Sequence, residues 1–124
     1  MRLNLRRTRK KWSADKGWIG VDLDGTLAEY TEWDEGKIGK AVPKMLERVK
    51  KWIEEDKEVR IMTARASLDY STKEDIKLIE DWLEENGIGG LKITNEKDPQ
   101  MLELWDDRCV QVEPNTGKRV DGKE

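Results

Sequence analysis

The sequence has no histidine, no phenylalanine and a single cysteine among its 124 residues. Without histidine, Ser-His-Asp and Cys-His nucleophilic chemistry is excluded, and so are most zinc sites. Catalysis in this chain has to run on carboxylates, Lys, Arg and hydroxyls, with or without a hard metal ion. Without phenylalanine, Trp, Leu, Ile and Val must fill the interior, and six Trp residues supply much of the bulk. Cys109 has no partner for an internal disulfide. It lies in the apolar run RCVQV, where it reads as a small buried hydrophobe of a reducing, cytoplasmic protein. No stretch approaches the ~20 apolar residues of a membrane span. The basic N-terminus lacks the apolar core of a secretory signal, so no membrane partner is expected.

What is present is charge, unevenly spread. Residues 1–16 carry a net +6, which leaves −9 on the rest of a chain whose total is −3. Such an arm suits nucleic acid or an acidic partner, and equally a solvated terminus. The length fits one domain with one core. We expect a basic arm over 1–16, a folded domain over 17–117 and a polar tail over 118–124.

Residues 17–23, GWIGVDL, read as a first strand, apolar almost throughout as in a sheet covered on both faces. Pro43 opens a helical pattern with Met45, Leu46, Val49, Trp52 and Ile53 on one face. A second strand is expected over 58–63. STKE, residues 71–74, reads as a capping box for a helix carrying Ile76, Ile79, Trp82 and Leu83 and ending at Gly87. Further short strands are expected over 90–94, 102–105 and 109–112. Strands alternating with amphipathic helices predict an α/β fold, a three-layer, Rossmann-like and mostly parallel sheet. Ligands of such sheets sit at the carboxyl ends of the strands.

That rule gathers the polar residues. Asp22 and Asp24 leave the first strand, Thr63 the second, and Lys97 follows the strand ending near Thr94. Asp106 and Asp107 follow LELW. Carboxylates converging on one edge repel unless a cation joins them, and an oxygen-rich cluster without His or Cys suits Mg²⁺. A carboxylate can attack phosphorus, and a second one can protonate the leaving oxygen and then activate water. A hydroxyl, backbone N–H groups and a lysine can hold the charge on the phosphoryl group.

DLDGT, with IMTAR, NEKDP and LWDDR following in order, resembles the haloacid dehalogenase superfamily, whose members are mostly Mg²⁺-dependent phosphohydrolases. The resemblance covers roughly residues 17–114. It implies Asp22 as nucleophile, Asp24 as general acid/base with its backbone carbonyl on the metal, and Thr63 as phosphate ligand. It further implies Lys97 as stabiliser of the intermediate, Asp106 as metal ligand and Asp107 as holder of a metal-bound water. Lys92 is the rival for the lysine, but it lies within a strand and should point away from the strand end. Asp107 has the alternative of pairing with Arg108, and Thr26 that of capping the turn.

About twenty residues separate the first strand from Pro43, room for a flap but not for the cap domain that selects substrates in the family. The site is therefore expected to be open, with Tyr30 and Trp33 in the flap available to stack on a base or to pack it down. Ala64 and Arg65 follow Thr63 as substrate contacts. Arg65 is placed either to clamp a second phosphate or to pair with an acidic neighbour. The TAR stretch and compact layout are similar to small phage-encoded members and to the phosphatase part of polynucleotide kinase-phosphatases. This implies a nucleotide or nucleic-acid 3′-phosphate as substrate, beside a small phosphorylated metabolite. Two other classes stay open. One is a phosphotransfer receiver-like domain, although receivers place their acidic pair on the first strand; the other is a binding module without turnover.

Overall fold

A computed structural model describes residues 17–67 and 72–123. The basic arm, 1–16, lies outside the described residues. Four strands form one sheet: β1 (Trp18–Asp22), β2 (Glu58–Met62), β3 (Lys92–Thr94) and β4 (Met101–Trp105). Two helices, α1 (Pro43–Glu54) and α2 (Lys73–Glu85), connect β1 to β2 and β2 to β3. The spatial order is β3-β2-β1-β4 and every pairing is parallel. The expected strand over 109–112 does not form. Val112 instead makes an isolated antiparallel bridge to Arg119, with Val110 and Val112 both exposed. That run finds no facing sheet to bury against, so Cys109 is exposed as well, contrary to the buried reading.

β1 is central because its side chains are nearly all apolar: Trp18, Ile19 and Val21 are buried. The ladder aligns Ile19 with Val59 and Val21 with Ile61. These side chains share a face and pack against Met45 and Val49 of α1 and Ile79 and Leu83 of α2. Truncating any of these to Ala would cost roughly 2–5 kcal/mol for the larger side chains. Pro43 starts α1 at the position where its missing N–H is no loss. The cap of α2 lies one residue beyond the expected one. Thr72 accepts from the Asp75 N–H and Asp75 accepts from the Thr72 N–H, while Ser71 lies outside the described residues. The helix ends as expected at Gly87 (φ +78°). The Ile88 N–H reaches the Leu83 carbonyl and the Gly87 N–H the Glu84 carbonyl, which seats Ile88 in the core.

The third layer, on the sheet face opposite the helices, is thin. The β3–β4 connection, 95–100, must cross three strand spacings, ~14 Å, and run back ~13 Å along the sheet, a diagonal of ~19 Å. Seven Cα steps reach at most ~24 Å, so the segment is nearly taut and leaves no room for a helix. Asp98 ties it down: it accepts from the Trp18 indole N–H (2.8 Å) and from Arg60 Nη1 (3.3 Å), and the Arg60 guanidinium covers the Trp18 ring. Among the described residues no helix is long and apolar enough to cross a membrane.

Between β1 and α1 the chain builds a flap. Bridges join Asp24 to Ala28 and Ala28 to Ala41, and the Glu29 N–H bonds the Lys40 carbonyl at 2.8 Å. The Trp82 indole N–H, on α2, holds the Gly39 carbonyl at 2.9 Å and fixes the flap to the body.

Candidate functional site

The strand order places the site. From β1 the chain turns to β2 and β3 on one side, whereas β4 lies on the other. The crevice beyond the ends of β1 and β4 is therefore the switch point at which open α/β sheets take ligands. Val21 is aligned with Trp105, so the residues that follow, Asp22 and Asp106, emerge as neighbours about one strand spacing apart. Asp22 is likewise paired with Met62, which brings Thr63 to the same edge on the other flank.

Oxygens of Asp22, Asp106 and Asp107 all lie within 4.8 Å of one another. Thr26 sits between them. Its hydroxyl is 3.3 Å from Asp22 Oδ2 and 3.3 Å from Asp107 Oδ1, and it accepts from the Asp107 N–H at 3.0 Å. Thr26 thus does more than cap the turn, and Asp107 faces the cluster rather than Arg108. Gly25 adopts φ +95°, and a Cβ there would meet Asp107 Oδ2 at 2.6 Å, so only glycine lets the second carboxylate close in. Burial, then the charge of Asp106 and a hydrogen bond with Asp107, push the Asp22 carboxyl up to about 7.

This donor set fits a hard divalent ion. Ligands trans across Mg²⁺ at ~2.1 Å are ~4.2 Å apart, so the three carboxylates need only small shifts to share one ion. Burial is the first cause of the raised Asp22 and the crowding of Asp106 and Asp107 adds to it, a part that a cation would relieve.

Asp24 stands outside this cluster. Its two oxygens accept from Arg65 Nε (2.7 Å) and Nη2 (2.9 Å) in a two-pronged pair. Arg65 also donates to the flap carbonyls of Gly36 (2.6 Å) and Lys37 (3.1 Å) and lies over the Trp33 ring at 4.9 Å. Of the two expectations for Arg65, the acidic neighbour is the one observed. Thr63 is buried, and its hydroxyl accepts from the Arg65 N–H at 3.1 Å, starting the short 3-10 turn Ala64–Ala66.

A cleft of about 750 Å³ opens over these groups, lined by Asp22, Asp24, Tyr30, Trp33, Thr63 and Arg65 among others. Ala64 and Asp106 line it too. Met62, Asp75, Asn95 and Arg108 complete its wall and were not singled out from the sequence as site residues. Only Arg108, adjacent to the DD pair, carried a local signal; Asp75 reads as a helix cap and Asn95 as a loop residue. Lys97 is exposed on the taut connection and is not among the lining residues. It is nonetheless close enough to Cys109 to favour the thiolate there, while Asp106 and Asp22 oppose it. Lys92 is exposed within β3, on the face of Arg60 rather than at the strand end.

No protein-family model matches the chain, and no curated protein matches it. A solved structure of a conserved protein from Bacteroides thetaiotaomicron is similar in fold. It superposes with a TM-score of 0.58 at 22% identity, over 80% of this chain and 82% of that one. The chain is a small α/β domain with a parallel Rossmann-like sheet, similar in fold to that bacterial protein, and it carries an acidic cluster compatible with metal and phosphate binding.

Proposed function

We propose that this chain is a Mg²⁺-dependent phosphomonoester hydrolase that works through an aspartyl-phosphate on Asp22. The observation supporting it is the convergence of Asp22, Asp106 and Asp107 at the switch point, with Asp22 lining an open cleft. The ordered motifs DLDGT, TAR, EKD and DD agree with this reading.

Asp22 Oδ attacks phosphorus in line while the bond from phosphorus to the ester oxygen breaks. Asp24, protonated by the entering phosphate monoanion, gives that proton to the ester oxygen, then takes a proton from the water that hydrolyses the acyl phosphate. Thr63 and the Ala64 N–H, which line the cleft, hold the phosphoryl oxygens, and Lys97, exposed outside the lining, has to swing inward to join them. Asp22, Asp106, Asp107 and the Asp24 carbonyl would hold a divalent cation, which would supply neutralisation of the phosphoryl charge. The open cleft and the exposed rings of Tyr30 and Trp33 favour nucleotides or 3′-phosphorylated nucleic-acid ends over small metabolites.

One observation favours a second reading, a phosphate-binding module without turnover: Asp24 is engaged by Arg65 rather than free for proton transfer. A panel of nucleotides, sugar phosphates and 3′-phosphorylated oligonucleotides, assayed for phosphate release with Mg²⁺, separates the two. Release by the wild type, and none by a folded Asp22→Asn variant, supports the hydrolase. Release by none of the panel supports the binding module, and release by Asp22→Asn removes that residue as nucleophile. Acetyl phosphate tests the receiver-like alternative, which would retain the label on its Asp instead of turning it over.

A further inference from the structure

The Arg65 guanidinium has five N–H donors, and four of them are engaged. Two go to main-chain carbonyls of the flap, at Gly36 and Lys37, and the ring of Trp33 covers one face. The flap is in turn held to the body by Trp82. These contacts fix the plane of the guanidinium. Its remaining two-donor edge, Nε and Nη2, is the edge that takes a planar or tetrahedral oxyanion in a fork, and Asp24 occupies it with both oxygens. The Arg65 side chain is only 9% exposed, so no other edge is open to a second anion. Arg65 and Asp24 nevertheless both line the cleft that holds the acidic cluster.

We propose that Arg65 is a preorganised subsite for a phosphoryl oxyanion, and that the Asp24 carboxylate is the placeholder that occupies it until an anion enters. This rests on the reading of the cleft as a phosphate site. An entering phosphoryl group takes the Nε–Nη2 fork, and the displaced Asp24 carboxylate is thereby released into the cleft. The exchange is a swap of one anion for another on the same donors. It breaks no covalent bond and strands no buried charge, which breaking the pair outright would do. It gives the site selectivity. A ligand with no oxyanion to offer the fork cannot dislodge Asp24, so the proton-transfer group becomes available only when an anionic ligand is seated. Arg65 acts here as an anion contact and as the residue that positions Asp24.

The exchange predicts a competition that binding can read without turnover. If the fork is held by Asp24 about nine-tenths of the time, apparent affinity for phosphate is reduced about tenfold, and removing the placeholder restores it. Inorganic phosphate is titrated calorimetrically into the full chain with Mg²⁺ present. The wild type is compared with Asp24→Asn, Asp24→Ser, Arg65→Lys and the double variant Asp24→Asn/Arg65→Lys. We expect both Asp24 variants to bind phosphate about tenfold tighter, and that gain to vanish in the Arg65→Lys background, because lysine has no fork to occupy.

Equal or weaker binding by both folded Asp24 variants overturns the proposal. So does a gain that survives Arg65→Lys, which would reflect only the loss of a nearby negative charge. Absence of phosphate binding by every form overturns it too. The outcome is independent of the hydrolase reading. Tighter phosphate binding by the Asp24 variants with no release from the substrate panel would sink the hydrolase and keep the exchange. Release by the wild type without that gain does the reverse.

Discussion

Asp22 and Asp107 share one hydroxyl. Thr26 Oγ1 stands 3.3 Å from an oxygen of each and also accepts the Asp107 N–H. A hydroxyl has a single proton, so it can donate to only one carboxylate at a time. The other must be protonated, solvated or bound to a cation. Thr26→Val removes the donor and leaves the Asp107 N–H to water, at a cost of about 1 kcal/mol. We expect Mg²⁺ affinity to fall several-fold in Thr26→Val and to be largely kept in Thr26→Ser. Mg²⁺-dependent thermal shift measures both, and equal loss in the two variants would show that the methyl group, not the hydroxyl, matters.

The Asp22 carboxyl, held up at about 7, makes stability depend on pH in a definite direction. Its ordinary value is 3.8, so between about pH 4 and 7 the folded chain binds more protons than the unfolded one. The contribution is complete below the unfolded value and is lost as pH rises through about 7. Asp22 is partly exposed, and solvent screening softens the effect. A cation takes the place of the proton. Melting with and without Mg²⁺ should therefore show a larger Mg²⁺-induced rise in Tm at pH 8 than at pH 5.5. Asp22→Asn should melt higher than the wild type at pH 8 without Mg²⁺ and respond little to it. A wild-type response independent of pH would count against proton–cation competition at Asp22.

Gly25 and Gly36 separate backbone strain from the closure of the site. Both have positive φ, +95° and +82°, so alanine is strained at either by roughly 1–2 kcal/mol. A Cβ at Gly25 also meets three atoms of the Asp107 carboxylate within 2.9 Å, whereas at Gly36 the nearest atom is 3.8 Å away on Trp33. Both alanine variants should lose stability, but only Gly25→Ala should lose Mg²⁺ affinity, because Asp107 has to move aside. Paired urea unfolding and Mg²⁺ titration distinguish the two effects. Similar Mg²⁺ affinity in the two variants would mean that Asp107 does not help hold the ion.

Much of this arrangement is legible in local sequence, and what is not has a physical reason. An apolar run broken by Asp, then Asp-Gly, can be read as a strand leaving a core into a tight turn, and β1 with Gly25 matches it. Thr72 and Asp75 cap α2 in place of the neighbouring STKE frame because Thr and Asp serve as well as Ser and Glu one residue earlier. Periodicity cannot choose between two such frames. Cys109 reads as buried because alternating apolar residues imply a face, but a face needs a partner layer, and none of the described elements covers it. The contacts that join Asp24 to Arg65, Trp18 to Asp98 and Trp82 to Gly39 link residues far apart in the chain. They follow from strand order, which no single segment encodes.

Cys109 offers a reporter of the cation site that needs no substrate. Its thiol is exposed yet raised above its ordinary value, by residual desolvation first and then by the charges of Asp106 and Asp22. Lys97 opposes them. The thiolate is the reactive form, so the rate of modification at fixed pH follows the local charge. A cation among Asp22, Asp106 and Asp107 cancels the opposing charges and lowers the thiol's value. At pH 8 the reaction with a disulfide reagent should therefore speed up several-fold on adding Mg²⁺. Asp106→Asn should start faster and gain less from Mg²⁺, while Lys97→Met should start slower. A rate indifferent to Mg²⁺ over a range that stabilises the fold would place the ion elsewhere. A rate indifferent to Lys97→Met would place that lysine too far from the cluster to serve as its charge partner.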